Sequence, residues 1–455
     1  MSQPPAESST QITRYEALAA MDGEGFEVSP ACLLVERPSG RGPCLLAAGT
    51  PDQVRSHPAF AGAGVVQLPR AVLIPGLVNA HTHLDLTHLG PRPFDPEAGF
   101  VGWVDHIRLG RHADEADIRA SVRRGVDLSL AGGTVAVGDI AGAVKGLPTT
   151  IPCRALAESP LAGVSFVEFF GIGNRFQAGI ERLPALLAMV DAARDAQPHS
   201  PNLRFGLQPH APYTVDLRLY AMTAAGAAAR AIPLATHLAE TPEEHEFVAR
   251  GAGPQRARLE RLGIWDASVL EMAGAGHHPV SHLEPALRTW PFLAAHVNDC
   301  DDAAIGVLQR TGASGAYCPR ASAYFGAERA FGPHRYRDMI RAGVNVALGT
   351  DSIVNLPDAA ARPESGGVSV LDEMRFLHRR DATDPRLLLG MATTGGARAL
   401  GLPPHAVRFS QRAALAGLVA VQVDGAVQNS VGAALMRSSH PTRLIFSAHE
   451  ARLME

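Results

Sequence analysis

Short aliphatic runs recur along the chain, each closed by polar residues and separated from the next by a stretch with helical spacing of apolar positions. Eight runs read as buried strands, at 72–81, 134–139, 164–170, 203–210, 234–240, 292–298, 313–319 and 344–352. Strand and helix alternate from run to run, which predicts βα units around a parallel sheet, and eight such units close into a barrel. The expected fold is α/β, a (β/α)8 TIM-like barrel over 71–402, with its chemistry at the C-terminal strand ends. Residues 11–70 and 403–450 break the alternation. Their short runs, at 31–35, 44–48 and 415–423, lie between Gly and Pro turns. The two flanks are expected to pair into one small β-sandwich beside the barrel.

Helix signals fall between the runs. Thr241-Pro-Glu-Glu244 combines an N-cap threonine, a proline at the first helical position and a glutamate three residues on. Ser369 precedes an apolar stripe of Val370, Leu371, Met374 and Leu377, and the helical stretch before Gly132-Gly133 has a glycine stop. The connection 250–290 is long for a βα unit and predicts a lid with its own helix.

The polar residues that close the runs carry the chemistry. His81-Thr-His83 follows the run Ala71-Val-Leu-Ile-Pro-Gly-Leu-Val-Asn-Ala80. Alternate side chains of a strand share a side, so both imidazoles can face one ion. In a chain with nineteen histidines a lone His-x-His is a weak signal. What strengthens it is that His237, His296 and Asp351 close other runs in the same way. His81, His83, His237 and Asp351 form a nitrogen and carboxylate donor set with room for water, the pattern of catalytic rather than structural metal sites. Taken singly, each histidine reads better as a hydrogen-bonded core residue, and Asp351 can be a loop cap; it is the four together that point to a metal.

Glu240 lies three residues beyond His237, an offset that puts it on the opposite face of an ideal strand. To reach the pocket it needs the strand to end or turn near Leu238. Given that turn, its carboxyl can deliver a proton; the plain alternative is a solvated glutamate ahead of a helix. His296 can orient the attacking water, stabilise an oxyanion or act as a further ligand. His210, in the proline-flanked Gln208-Pro-His-Ala-Pro-Tyr213, suits a substrate contact. Trp103, Phe169, Phe170, Tyr213 and Tyr324 can wall a planar ring or pack an ordinary core. Glu168 can bond an amino or ribosyl group or sit as a satisfied strand-end carboxylate.

Composition narrows the partners. Of the 455 residues 46% are hydrophobic and 19% charged, with net charge −4 and no basic patch interleaved with aromatics, so a nucleic-acid partner is not expected. No apolar stretch is long enough to predict a membrane span. The polar segment from Met1 to Thr10 reads as a frayed tail without signal-peptide features. Five cysteines without CxxC spacing point to small buried residues in a reducing, cytoplasmic compartment. A small-molecule substrate is the expected partner, and a homodimer is compatible with this reading.

Together these pieces resemble the amidohydrolase superfamily over nearly the whole chain. The matching segments are Pro75-Gly-Leu-Val-Asn-Ala-His-Thr-His-Leu84, Pro209-His-Ala-Pro-Tyr213, Thr236-His-Leu-Ala-Glu240, Ala295-His296 and Gly349-Thr-Asp351. The pairing of His-x-x-Glu with Pro-His-Ala-Pro resembles the mononuclear deaminase and chlorohydrolase branch. That resemblance implies one divalent ion, Zn or Fe, on His81, His83, His237 and Asp351. It also implies Glu240 and His296 as the proton-handling pair and His210 as a substrate contact. Phe100-Val-Gly-Trp-Val104, Phe166-Val-Glu-Phe-Phe-Gly171, Cys318-Pro-Arg320, Ala323-Tyr-Phe-Gly326 and Leu371-Asp-Glu-Met-Arg375 are similar to aminodeoxyfutalosine deaminase-like hydrolases. Trp103, Glu168 and Arg320 in these pieces are the further candidates for substrate contacts.

Two departures from the superfamily stand out. Ala416-Gly-Leu-Val-Ala420 lacks the aspartate common before the leucine. The chain's single lysine, Lys145, follows the second run, whereas binuclear members bridge two metals with a carboxylated lysine on the fourth strand; the fourth run here ends in His210. One metal is therefore expected. The implied activity is metal-dependent hydrolytic deamination of an aminated heterocycle, purine-like or aminofutalosine-like. Alternatives are amide, cyclic-amide or chloro-heterocycle hydrolysis on the same site, phosphoester hydrolysis, or a non-catalytic scaffold.

Overall fold

A computed structural model describes residues 10–38, 42–195, 203–425, 427 and 430–447, so nearly all of the expected N-terminal tail lies outside the described residues. Its strands fall into two eight-stranded sheets. The N-terminal flank supplies β1 (Gln11–Met21), β2 (Glu27–Val28), β3 (Ala31–Arg37), β4 (Cys44–Gly49) and β5 (Gly64–Pro75). The barrel follows with β6 (Leu77–Thr82), β7 (Thr134–Ala141), β8 (Ala162–Phe169), β9 (Leu203–Pro209), β10 (Leu234–Leu238), β11 (Phe292–His296), β12 (Ser314–Tyr317) and β13 (Val346–Leu348). The C-terminal flank adds β14 (Ala413–Ala414), β15 (Gly417–Gln422) and β16 (Thr442–Ser447).

Strands β6 to β13 pair in sequence order, all parallel, with helices in the connections. Every residue of β7 and β8 is buried, as expected of parallel strands covered on both faces. The barrel closes at the seam between β13 and β6. There the amides of Thr350 and Asp351 donate to the His81 carbonyl, at 3.1 and 3.0 Å. Asn79 clamps the same seam: its Nδ2 donates to Thr350 Oγ1 at 2.7 Å, and its Oδ1 accepts the Thr350 amide at 3.0 Å. A side chain at Gly349 would meet the Cβ of His81 at 2.9 Å, so the seam needs glycine there.

Both flanks join in one β unit, a single curled sheet ordered β14-β4-β3-β1-β5-β15-β16, with β2 beside β1. Strand β1 alternates buried and partly exposed positions, as a sheet with one covered face requires. One boundary differs from the sequence reading. The run 72–81 is divided at Gly76: residues up to Pro75 pair with β15 in the flank sheet, and the barrel strand starts at Leu77. At the hand-over the Gly76 amide donates to the Gly417 carbonyl and the Leu77 amide to that of Gly133. A Cβ on residue 76 would lie 2.5 Å from the Val135 side chain, so only glycine passes between the two sheets. Hydrophobic patterning cannot register this break, because both halves are equally apolar.

The connection 250–290 holds helices Gly253–Arg261 and Pro279–Thr289. Among the described residues no helix is long and apolar enough to cross a membrane. All five cysteines are free thiols.

Candidate active site

Side chains from β6, β10 and the β13 end converge at one rim of the barrel. His81 and His83 project from the end of β6 with their rings 5.1 Å apart and perpendicular. Asp351 Oδ1 lies 3.5 Å from His81 Nε2 and 3.3 Å from His83 Nε2. His237 Nε2 is 3.4 Å from His83 Nε2. All four residues are buried. A tetrahedral ion with bonds of about 2.0–2.1 Å needs donors roughly 3.3–3.4 Å apart, and the His81–Asp351, His83–Asp351 and His83–His237 contacts lie at or near that spacing. Two further observations fit a cation. Both ring nitrogens of His81 are buried without a hydrogen bond, which is costly unless something else satisfies them. Three of the donors, His81, His237 and Asp351, are shifted toward the protonation state that a metal requires, whereas at His83 burial is outweighed by the contact with Asp351, which raises it. Burial, followed by the neighbouring histidines, holds His237 well below the usual imidazole range. Burial opposes charge on Asp351, but its contacts to His81 and His83 outweigh it and keep the carboxyl well below the carboxylate range.

Neighbouring groups aim these donors. His237 Nδ1 lies 2.9 Å from the Gln208 side-chain amide and 3.2 Å from the His210 carbonyl, and these contacts orient the ring with Nε2 toward the cluster. Asp351 Oδ2 accepts from Asn355 Nδ2 at 2.5 Å, which turns Oδ1 to the histidines. Replacing Asn355 with alanine should weaken metal retention by about 10–100-fold while the ligand set stays intact, the usual cost of losing such a partner; competition with a chelator measures it.

Strand β10 ends at Leu238, and Ala239 takes φ 53° in the left-handed region. This is the turn that Glu240 needs. The helix Pro242–Arg250 is capped by Thr241, which accepts the Glu244 amide. The Glu244 carboxylate does not close a reciprocal capping box; it accepts the Ala239 and Glu240 amides, each at 2.8 Å, and so pins the turn. Glu240 Oε1 thereby comes within 3.5 Å of His296 Nε2. Burial, and behind it the charges of Asp351 and Glu244, raises the Glu240 carboxyl well above the carboxylate range. Burial likewise pushes His296 down to about 3. Both shifts favour the uncharged forms of the pair. His296 and Asp351 have positive φ as well, 74° and 58°. Non-glycine residues in this region cost on the order of 1 kcal/mol or more each, and here three of them cluster around one pocket.

Two adjoining chambers open from the cluster. The inner one, about 60 Å³, is walled by His83, His237, Glu240 and Asp351 on one side and by Phe100 and Trp103 on the other. The outer one, about 400 Å³, is lined by Phe170, Lys145, Arg175, Arg258 and Ile264 among others. Glu168 and His210 face both chambers. Helix Gly253–Arg261, from the long connection, supplies part of the outer wall. His210 Nδ1 is 2.8 Å from Thr214 Oγ1, whose own proton goes to the Ala211 carbonyl, so Nε2 is left as an acceptor. Arg320 does not join this pocket. Its guanidinium is bound by the buried Glu373 at 2.6 Å and borders a separate cleft with Tyr324. A strand-end arginine is drawn to the nearest buried carboxylate, and Glu373 comes from a helix about fifty residues on.

The sequence reading missed Arg111, which lines both chambers. It donates to Asp85 Oδ2 at 2.6 Å and lies 3.6 Å from Glu168 Oε2. Gly142 is the one local signal, since a side chain there would overlap the guanidinium. Asn355 was also missed; its place one turn after Asp351 is the clue.

The pattern of the amidohydrolase family matches residues 72–407. The chain is 30% identical over 399 residues to an aminodeoxyfutalosine deaminase of Deinococcus radiodurans, covering 83% of each protein. In fold it is similar to aminofutalosine deaminase of Helicobacter pylori in complex with methylthio-coformycin (TM-score 0.73, 19% identity, 96% of this chain and 99% of that one). It is likewise similar to the zinc complex of atrazine chlorohydrolase from Arthrobacter aurescens (TM-score 0.70, 18% identity, 97% of each chain).

Proposed function

The chain belongs to the amidohydrolase family, and from that premise we propose that it deaminates a purine-like nucleoside whose sugar-side substituent carries an anion. The observation that carries the reading is the convergence of four metal-type donors, three of their contacts at 3.3–3.5 Å, with Glu240 lining the same chamber. The deaminase names of relatives support ammonia as the leaving group.

His81, His83, His237 and Asp351 would hold one divalent ion, zinc or iron, since nitrogen and carboxylate donors suit both. When bound, such an ion lowers the pKa of a water toward about 7 and makes it a nucleophile at neutral pH. Glu240 gives its proton to the ring nitrogen beside the carbon under attack while Asp351 takes the proton of the attacking water; that proton passes to the amino group, the C–N bond breaks to release ammonia, and the hydroxyl proton of the product returns to Glu240. His296, 3.5 Å from Glu240, steers the water and supports the acid. Phe100 and Trp103 wall the heterocycle and exclude bulk water. Glu168 and His210, at the junction of the chambers, accept hydrogen bonds from sugar hydroxyls. The substituent then occupies the outer chamber. Arg111 there is paired with Asp85 and Glu168, while Arg108 and Arg258 share the single carboxylate of Asp105 with Arg261, so the chamber keeps an excess of positive charge. Lys145 and Arg175 make no ion pair among the described residues, and they are the cations most open to an anion.

Release of ammonia is the direct test. The metal-loaded protein is offered adenosines with neutral and with carboxylate-bearing 5′ substituents, beside aminotriazines, chlorotriazines and cyclic amides. Turnover of chloro or amide substrates without any ammonia release from the nucleosides would sink the deaminase reading. Lys145→Met and Arg175→Gln should each raise KM for the carboxylate-bearing nucleoside by about tenfold, roughly 1.4 kcal/mol, and leave KM for the neutral one unchanged. Equal effects on both would remove the anion from the proposal.

A further inference from the structure

Outside the catalytic pocket, three side chains from three segments meet on the far side of the Glu240 turn. His245 lies on helix Pro242–Arg250, Asp299 follows β11, and His278 precedes helix Pro279–Thr289 at the end of the long connection. Asp299 Oδ2 is 2.6 Å from His245 Nδ1 and 3.2 Å from His278 Nε2, and donor atoms of all three lie within 4.8 Å of one another. The rings of His245 and His278 stand edge to face, 5.6 Å apart. His278 Nε2 is buried and, despite the nearby carboxylate, makes no hydrogen bond. His245 is 44% exposed at its side chain, which leaves a path from solvent.

We propose that His245, His278 and Asp299 form a second, labile site for a divalent transition metal, zinc in the first instance. Two imidazoles and one carboxylate select Zn²⁺, Co²⁺ or Ni²⁺ over Mg²⁺ and Ca²⁺, which take oxygen donors. With three protein donors and solvent completing the shell, the site binds more weakly than the four-donor cluster. Binding also has a local cost: when His278 Nε2 takes the ion, its Nδ1 carries the proton and can no longer accept the Val280 amide, now 3.2 Å away. The ion would tie the end of the 250–290 connection to the backbone that holds Glu240, because the Asp299 amide donates to the Ala239 carbonyl at 2.9 Å and Asn298 Nδ2 to the Glu240 carbonyl at 3.0 Å. None of the three residues lines either chamber.

Equilibrium dialysis of the singly loaded enzyme against micromolar zinc, followed by metal analysis, tests this. Two ions per chain are expected for the natural sequence, the second removed first by a weak chelator. His278→Asn keeps a side chain that can cap the helix, and His245→Gln keeps a good helix former; each should hold one ion. The second ion should raise the melting temperature of the natural protein with the logarithm of free zinc above the Kd of the site, an effect absent from both variants. One ion per chain in the natural protein, or two in all three proteins, would overturn the proposal. A variant that unfolds is replaced by Co²⁺ titration of the natural protein, where a second absorption step at tetrahedral or five-coordinate intensity is required.

Discussion

A Glu240→Gln protein should keep its metal and lose turnover by on the order of a hundredfold or more, the usual worth of a positioned general acid. Glu240 is not one of the four donors, so the ion stays where it is. The amide has the same size, and the turn beneath it is pinned through backbone amides by Glu244, not through the Glu240 side chain. What disappears is a transferable proton in a pocket where burial favours the protonated carboxyl. Substrate affinity should change little, because the interaction lost is made chiefly in the transition state; kcat and kcat/KM should fall together. Metal analysis and ammonia release on one preparation measure both halves. A metal-loaded variant with normal turnover would move proton delivery elsewhere, His296 being the nearest group.

The second large effect is loss of the ion itself. Asp351→Ala and His237→Ala should each reduce bound metal to background after dialysis and bring ammonia release below detection. Asp351 supplies the only carboxylate among the four donors, and without it a dication would face three neutral imidazoles in a buried site. The fold should survive, because the seam at residue 351 is closed by its backbone amide and by the Asn79–Thr350 clamp, none of which the substitution removes. Circular dichroism should therefore stay native while metal content collapses. Stoichiometric metal in either variant would show that the donor set is drawn wrongly.

The residues behind these expectations differ in how far the sequence revealed them. His81, His83, His237, His296 and Asp351 were legible along the chain because strand ends in a barrel face one rim, so a polar residue closing an apolar run has a predictable place. Glu240 was legible only as a condition: the offset from His237 demands a turn, and the turn is there at Ala239. Arg111 and Asn355 were not legible. Each acts through a contact with a residue whose position depends on how a helix or loop returns to the rim, and no periodicity records that. Arg320 shows the converse: its place beside strand-end residues pointed to the pocket, but a carboxylate from a distant helix claims it.

The order of apolar runs by itself determined an α/β chain with parallel strands, flanks that pair with each other, and a metal-type donor set at one end, because burial and side-chain alternation act over a few residues and leave a local trace. Only the tertiary structure decided the division at Gly76, the clamp that closes the barrel beside Asp351, the two chambers and the placement of Lys145 and Arg175, which make no ion pair among the described residues. Each of those depends on groups far apart in the chain meeting at a contact distance of a few ångströms, and spacing along the chain carries no information about which long-range meeting wins.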